Sequence, residues 1–595
     1  MKYKCWCVFF ASLLALACSN SNNAHEPNVD ISSSSDIAAE PSSSSSDASS
    51  SSAIASSSSN GSISSSSSVS AESSSSSSDG VSSSSESSSS VAASSSSSSL
   101  GSSSSSLRSS ANVSASSSSG GVSSSRGSSS SANVAGSSGS LSNGTRFTPD
   151  MLGLTPGATT ASVNLNWISD RITNNTTQVR LLNASGGLVK TFTGTVANAT
   201  TGKSHHKATI TDLTPNTSYK YSVSNNGTDW SYEYNYKTPA SGAFIFALVA
   251  DPQVTTGNQD SNTDPKASPA TTAQGWKDIV KRIAEKEATF ILCAGDQVDG
   301  GITYKEDEYK VFFAPEELRN IPLAPVIGNH DLHTEHFNHF NMPNMPSSIQ
   351  AYNMYSGKVG NYYYLYNNLL IVALNTGYLQ KSDNTAAAVA EYKKTIEAAK
   401  TAHSGKYDWL IVQHHKSTTS ISAHSADEDI GFLIENGLEK LFTDQGVDLV
   451  IAGHDHIHVR SHLMKWDASK GYSVRSTDNK GTVYLTFTTA SGVKYYPPLF
   501  ILKEGQENAG PFTEKYPVLV NGKRGASELR NAKAADTTTW PLSTAFFVKQ
   551  SGYRMPNYTP NYTIFEVNGK TIKATTRTSE DKLVDEFTLT PKGPR

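Results

Sequence analysis

Five short polar clusters stand in order along the chain: Asp251-Pro252-Gln253, Gly295-Asp296-Gln297-Val298-Asp299, Gly328-Asn329-His330-Asp331, His414-His415 and Gly453-His454-Asp455-His456. Each follows directly after an apolar run: Phe244 to Val249, Phe290 to Leu292, Ala324 to Ile327, Trp409 to Val412 and Val447 to Ala452. Short apolar runs of this kind read as buried strands. In open α/β sheets ligands bind at the carboxyl ends of strands, so clusters placed there converge on one crevice. Carboxylates and imidazoles gathered in a crevice suit borderline and harder metal ions, which points to metal-assisted chemistry. The glycines fit tight strand-to-loop turns, which need freedom in the backbone dihedrals.

The elements that must position these clusters are legible around them. Leu369 to Leu374 and Val483 to Phe487 add two buried strands, and Thr272 to Lys286, Ala386 to His403 and Gly431 to Gln445 read as helices between strands. Alternating strands and helices predict an α/β layered core over residues 241–595. Tyr562 to Val567 and Lys582 to Thr590 are expected as late strands extending a sheet edge. Residues 145–240 differ in character. Ala161 to Trp167, Thr177 to Leu182 and Tyr219 to Val223 alternate apolar and polar residues between turn clusters, the pattern of half-buried antiparallel strands in a small all-β sandwich.

Residues 18–144 are dominated by serine and nearly devoid of aromatics, so they cannot bury enough apolar surface to offset their ordering entropy. They are expected to be a disordered tether with a typical reach of roughly 60 Å. Residues 1–17 read as an export signal, with Lys2 and Lys4 ahead of the apolar stretch from Val8 to Ala17. Leu14-Ala15-Leu16-Ala17-Cys18 resembles a bacterial lipobox. That predicts an exported protein attached to the cell envelope through lipidated Cys18, at the outer membrane or cell surface; an ordinary cleaved signal would leave it secreted. Cys5 and Cys7 would depart with the signal and Cys18 would carry lipid, which would leave Cys293 alone and no intramolecular disulfide framework in the mature protein. The formal net charge of −4 is small for 595 residues and no long basic run occurs, which gives no electrostatic reason to expect nucleic acid as a partner.

In this order and at strand ends, the five clusters resemble the calcineurin-like metallophosphoesterase superfamily, and within it bacterial relatives of the purple acid phosphatases. The resemblance implies a layered β-sandwich flanked by helices. The phrase from Ile210 to Tyr219, with Tyr236-Lys237-Thr238-Pro239, looks like the fibronectin type III variant that precedes the catalytic domain in those enzymes. Carried over residue by residue, Asp296 would bridge two divalent or trivalent ions, Fe, Zn or Mn. Asp251 and His456 would hold the first, and Asn329, His414 and His454 the second. The implied activity is hydrolysis of phosphate monoesters by a metal-bound hydroxide, acid-phosphatase-like and outside the cytoplasm, with His330 at the leaving oxygen and Asp331 orienting it. A phosphodiesterase or nucleotidase using the same centre is the alternative, and a non-catalytic surface-binding protein is a second. The partner is then a phosphorylated small molecule or nucleotide; oligomeric state is not legible.

Two positions depart from the family. Purple acid phosphatases carry a tyrosine at the position of Asp299, whose phenolate binds ferric iron and gives the colour, so this protein is expected not to be purple. Gln253 stands where the wider superfamily usually has histidine; its amide oxygen is a weaker donor, which admits Mn or Mg at the first position. Gln253 and Asp299 are thus either metal ligands or supports for them. His339, His458 and Lys494 are each open between a phosphate contact and a packing role. His415 is open in the same way, because adjacent residues on an extended chain point in opposite directions.

Overall fold

The computed structural model describes residues 146–590 apart from 172–175, 201, 258–267, 301–304, 346–358, 380–381, 421–423, 425–426, 470–471, 479, 493 and 496–558. The expected signal, the serine-rich tether and Cys18 lie outside the described residues. Cys293 is a buried free thiol.

The first part is built from β1 (Asp150–Pro156), β2 (Val163–Asp170), β3 (Gln178–Asn183), β4 (Leu188–Thr193), β5 (Thr195–Asn198), β6 (Lys203–Ile210), β7 (Ser218–Ser224) and β8 (Tyr234–Lys237). They form two antiparallel sheets of four strands, ordered β1-β2-β6-β5 and β4-β3-β7-β8. The alternating residues supply the core between them, with Leu165, Trp167, Val179, Leu181, Ile210 and Val223 all buried. At the turn into β7 the Tyr219 hydroxyl accepts from the Thr214 backbone N–H at 3.1 Å, a corner device of β-sandwiches.

The second part runs β9 (Phe244–Val249), α1 (Pro269–Glu285), β10 (Ile291–Cys293), α2 (Glu306–Phe312), β11 (Leu323–Pro325), α3 (His336–His339), β12 (Tyr362–Tyr366), β13 (Leu369–Leu374), α4 (Ser382–Ala402), β14 (Trp409–Lys416), α5 (Glu428–Glu435), α6 (Leu438–Gln445), β15 (Leu449–Gly453), β16 (Val459–Asp467), β17 (Tyr472–Arg475), β18 (Thr482–Thr486), β19 (Asn561–Asn568), β20 (Thr571–Thr578) and β21 (Leu583–Leu589). Two mixed sheets result, ordered β11-β10-β9-β19-β20-β21 and β12-β13-β14-β15-β18-β16-β17. Within the first of these sheets Phe246 stacks between its neighbours Phe290 and Phe565, and Phe290 reaches across to Tyr366 of the second sheet with centroids 4.1 Å apart. The strands that carry the polar clusters, β9, β10, β11, β14 and β15, run parallel to their clustered neighbours, so their carboxyl ends lie on one side.

Helices cover the sheets for reasons visible in the chain. In α1 the Ser268 side chain caps the Thr271 N–H, Pro269 starts the first turn, and Trp276, Ile279, Val280 and Ile283 form one buried stripe. The expected helix from Gly431 to Gln445 is two helices, because Gly437 adopts φ +80° between α5 and α6. The late strands extend the sheet as expected: β19 pairs along β9 and β21 forms the sheet edge, while the Thr- and Lys-containing β20, which has weak apolar alternation and is not anticipated by the sequence pattern, lies between them.

The two parts are packed together. The Tyr221 hydroxyl donates to the Arg319 carbonyl at 2.6 Å, Asn164 to the Asn341 carbonyl at 2.7 Å, and Asn341 to the Ala208 carbonyl at 3.1 Å. Met151 and Ile168 of the sandwich join the core of the larger part.

A buried ion pair ties the two large sheets to each other. Arg460 on β16 grips Asp585 on β21 with two bonds of 2.6 and 3.0 Å. Removing one partner leaves a buried charge uncompensated. Arg460→Met is therefore expected to destabilise the protein by about 3 kcal/mol in denaturant unfolding, and adding Asp585→Leu should recover most of that loss.

Candidate metal centre

The polar clusters leave their strands through strained backbone. Asp251, Gln253, Asp296, His454 and His456 all have φ between 36° and 72°, a region non-glycine residues seldom occupy. Close approach explains two of the glycines. A Cβ on Gly328 would stand 1.9 Å from Asp296 Oδ1, and one on Gly453 would stand 2.4 Å from Asp251 Oδ2. Any side chain at either position would occupy the space of a carboxylate oxygen.

Among the described residues three groups of donors have ligand atoms within 4.8 Å of one another; beside His424, Asp427 and His454, the two at the strand ends are Asp251, Asp296 and His456, and Asp296, His415 and His454. Asp296 belongs to both. Its Oδ2 lies 3.2 Å from His415 Nε2, and its Oδ1 accepts from the His330 backbone N–H at 2.9 Å. Asp251 accepts from the His454 N–H at 3.0 Å and lies 3.5 Å from His456 Nε2. Asn329 Oδ1 stands 3.0 Å from His415 Nε2, so the amide reaches the same place.

Every donor of the two strand-end groups is buried, Asp251 and Asp296 to 0% and 1% exposure. Burial, reinforced by Asp296, pushes the Asp251 carboxyl well above the usual carboxylate range. Burial pulls His415 down, but the Asp296 and Asp251 carboxylates outweigh it and push the imidazole up to about 9. Burial drives His454 and His456 well below the usual histidine range, leaving neutral imidazoles. His454 Nε2 and Gln253 Oε1 are buried without a hydrogen-bond partner. Two dry carboxylates, neutral imidazoles and acceptors with nothing to accept from are the donor set of a cation site, and the residues fit a pair of metal ions.

The structure reassigns several residues. His414 and His415 exchange places: His415 faces Asp296, whereas His414 points out of the other face of β14 against Phe442, with ring centroids 5.7 Å apart. Adjacent residues on a strand alternate sides, and the side each takes is fixed by strand register. Asp331 does not orient His330. Its carboxylate accepts from the backbone N–H groups of Gly328 at 2.9 Å and Gln297 at 3.0 Å, tying two site loops together. Asp299 is the carboxylate beside the His330 ring, with Oδ1 3.5 Å from Nδ1. It also pairs with Lys494 Nζ and belongs to neither donor group. Gln253 donates to Asp296 Oδ2 at 3.2 Å, next to the shared ligand.

Lys494 is at the centre, its backbone carbonyl accepting from His456 Nδ1. His339 and His458 are not. The His339 ring is fully buried and stacks on Tyr309 at 4.0 Å, packing the loop after the third cluster. His458 Nε2 lies 3.3 Å from Asp585 and supports the ion pair between the sheets. The sequence reading missed His424, whose ring stacks 4.2 Å from His454 and whose Nδ1 lies 2.6 Å from Asp427. A histidine nine positions beyond His415 in a Ser- and Ala-rich loop gives little signal by itself.

Comparison with known proteins agrees with this geometry. Residues 246–458 match the calcineurin-like phosphoesterase family, and residues 149–238 match the purple acid phosphatase N-terminal domain. A search of curated proteins gives no match. Among solved structures, a purple acid phosphatase from yellow lupin (Lupinus luteus) seeds aligns with a TM-score of 0.50 at 15% identity, covering 74% of this chain and 74% of that one. GAP50, the anchor in the inner membrane complex of Plasmodium, aligns with a TM-score of 0.33 at 14% identity over 60% of this chain and 90% of its own. A dimetal phosphatase from Danio rerio aligns with a TM-score of 0.33 at 12% identity over 59% and 100%.

The reassignment of the adjacent histidines is open to direct measurement. His415→Ala is expected to lower the metal content of the purified protein by elemental analysis, while His414→Leu keeps it; the reverse result would restore His414 as the ligand. Residues 246–458 match the calcineurin-like phosphoesterase family and follow a match to the purple acid phosphatase N-terminal domain, and together these matches indicate a phosphoric ester hydrolase whose buried donor groups are candidates to hold two metal ions.

Proposed function

We propose that the protein is a phosphatase that hydrolyses phosphate monoesters outside the cytoplasm, held at a bacterial envelope by lipid on Cys18. The observation that carries the catalytic reading is the pair of buried donor groups sharing Asp296. Asp251 and His456 would hold one ion with Asp296; Asn329, His415 and His454 would hold the other with it. Such ions polarise the phosphoryl oxygens and lower the pKa of bound water. The export reading rests on the stretch from Lys2 to Cys18.

The remaining steps belong to the side chains. Asp331 fixes the loops of the second and third clusters through their backbone N–H groups, so that Asp296 and Asn329 keep their positions. His330 is 29% exposed at the mouth of the site, where its ring can donate a hydrogen bond or proton to the leaving oxygen. Asp299 holds that ring. His424, seated on His454 at the rim, is placed to donate to a non-bridging phosphoryl oxygen.

The test is hydrolysis of p-nitrophenyl phosphate by the full-length protein, with bis(p-nitrophenyl) phosphate and a nucleoside 5′-monophosphate in parallel. Activity should vanish on chelation, return with added Fe, Zn or Mn, and fall at least about 100-fold in Asp296→Ala. Preference for the diester would make the protein a phosphodiesterase. A folded, metal-loaded protein that hydrolyses none of the three would leave it as a surface-binding module. Cell fractionation with a Cys18→Ala comparison tests the anchor: an unchanged envelope pool would sink it. Because Asp299 pairs with Lys494, loading with ferric iron is expected to give no purple absorption band.

A further inference from the structure

The mouth of the metal centre carries a cation that neither donor group uses. Lys494 is 11% exposed at its side chain, low for a lysine. It is fixed at both ends. Its backbone, at φ +56°, gives its carbonyl to His456 Nδ1, and its Nζ pairs with Asp299. Asp299 is itself anchored, since its backbone N–H donates to Glu308 Oε2 and to the Val254 carbonyl, each at 3.1 Å. The same Asp299 Oδ1 stands 3.5 Å from His330 Nδ1, so one carboxylate serves two groups from different loops. Lys494 thereby links His456, through its carbonyl, to the partly exposed His330, through Asp299.

We propose that Lys494 is a specificity-determining residue that recognises the second negative charge of a phosphate monoester, with Asp299 as its positioning residue. The inference rests on the phosphoesterase reading above and names its substrate class. Near neutral pH a monoester carries close to two negative charges, whereas a diester carries one. A compact ammonium on a flexible stem binds phosphate as a point charge, and holding it in place beforehand reduces the ordering cost of binding. The dianion draws Nζ from Asp299, which then keeps His330 alone as its partner. A diester gains less from the same cation, so the pair biases the centre toward monoesters.

The test uses the full-length, metal-loaded protein in wild-type form and as Lys494→Met, Lys494→Arg and Asp299→Asn. In Lys494→Met the ratio of kcat/KM for p-nitrophenyl phosphate to that for bis(p-nitrophenyl) phosphate should fall about 10-fold or more, mainly through the monoester KM. Lys494→Arg should retain most of the ratio, and Asp299→Asn should raise the monoester KM several-fold. Binding of inorganic phosphate by calorimetry, which needs no turnover, should weaken about 10-fold in Lys494→Met at unchanged metal content. An unchanged ratio together with unchanged phosphate affinity would overturn the proposal. So would equal losses on both substrates accompanied by lost metal, the mark of a structural role. A wild-type protein that hydrolyses neither ester refutes the function proposed above, and phosphate binding then decides the role of Lys494 separately.

Discussion

Two carboxylates, Asp251 and Asp296, stand side by side almost sealed from water, and the surrounding structure is arranged to tolerate them. Like charges in a dry environment repel strongly and lose their hydration, so such a pair persists only where positive charge is close. His415 is the protein's own counter-charge, its imidazole raised by the very carboxylates it touches. Metal ions supply the same need more fully, which is why neutral His454 and His456 stand ready as donors instead of as cations.

Keeping these groups together requires backbone that few sequences accept. The left-handed conformations of five site residues each cost on the order of 1 to 3 kcal/mol. They hold because each follows a strand locked between neighbours. The parallel strands deliver the clusters to one side, Asp331 staples two of the loops, and the Thr489 hydroxyl secures the Asp251 carbonyl at 2.8 Å. The sandwich holds the end of the histidine-rich loop through Asn341, and the His339 ring stacks on Tyr309, which makes that loop part of the scaffold rather than the site.

Much of this could be read before any coordinates. Buried strands announce themselves through uninterrupted Val, Ile and Leu, and the clusters at their ends carry residue types with few other uses in such positions. What could not be read was direction. His414 and His415 are equally apt by chemistry, and only the register of β14 between β13 and β15 decides which faces Asp296. Asp331 is adjacent to His330 in sequence, yet a tight turn sends its carboxylate to the backbone and leaves the distant Asp299 beside the ring. His458 was misleading for a related reason, because its partner Asp585 lies on a strand that returns from far along the chain. Strands rich in Thr, Lys and Tyr, such as β12 and β20, lack the alternation that marks a half-buried strand.

The pairing of β9 with β19 has a consequence for how the molecule is assembled. Leu248, three residues before Asp251, is matched to Thr563 across nearly the whole catalytic segment. Until β19 arrives, one edge of the strand that delivers the first carboxylate presents unpaired amides and carbonyls. Contacts of such sequence separation form slowly, because loop-closure entropy is lost before they stabilise anything. Closing the sheet on that side of β9 therefore requires a segment more than 300 residues further along the chain, a contact of high sequence separation whose formation is expected to be slow.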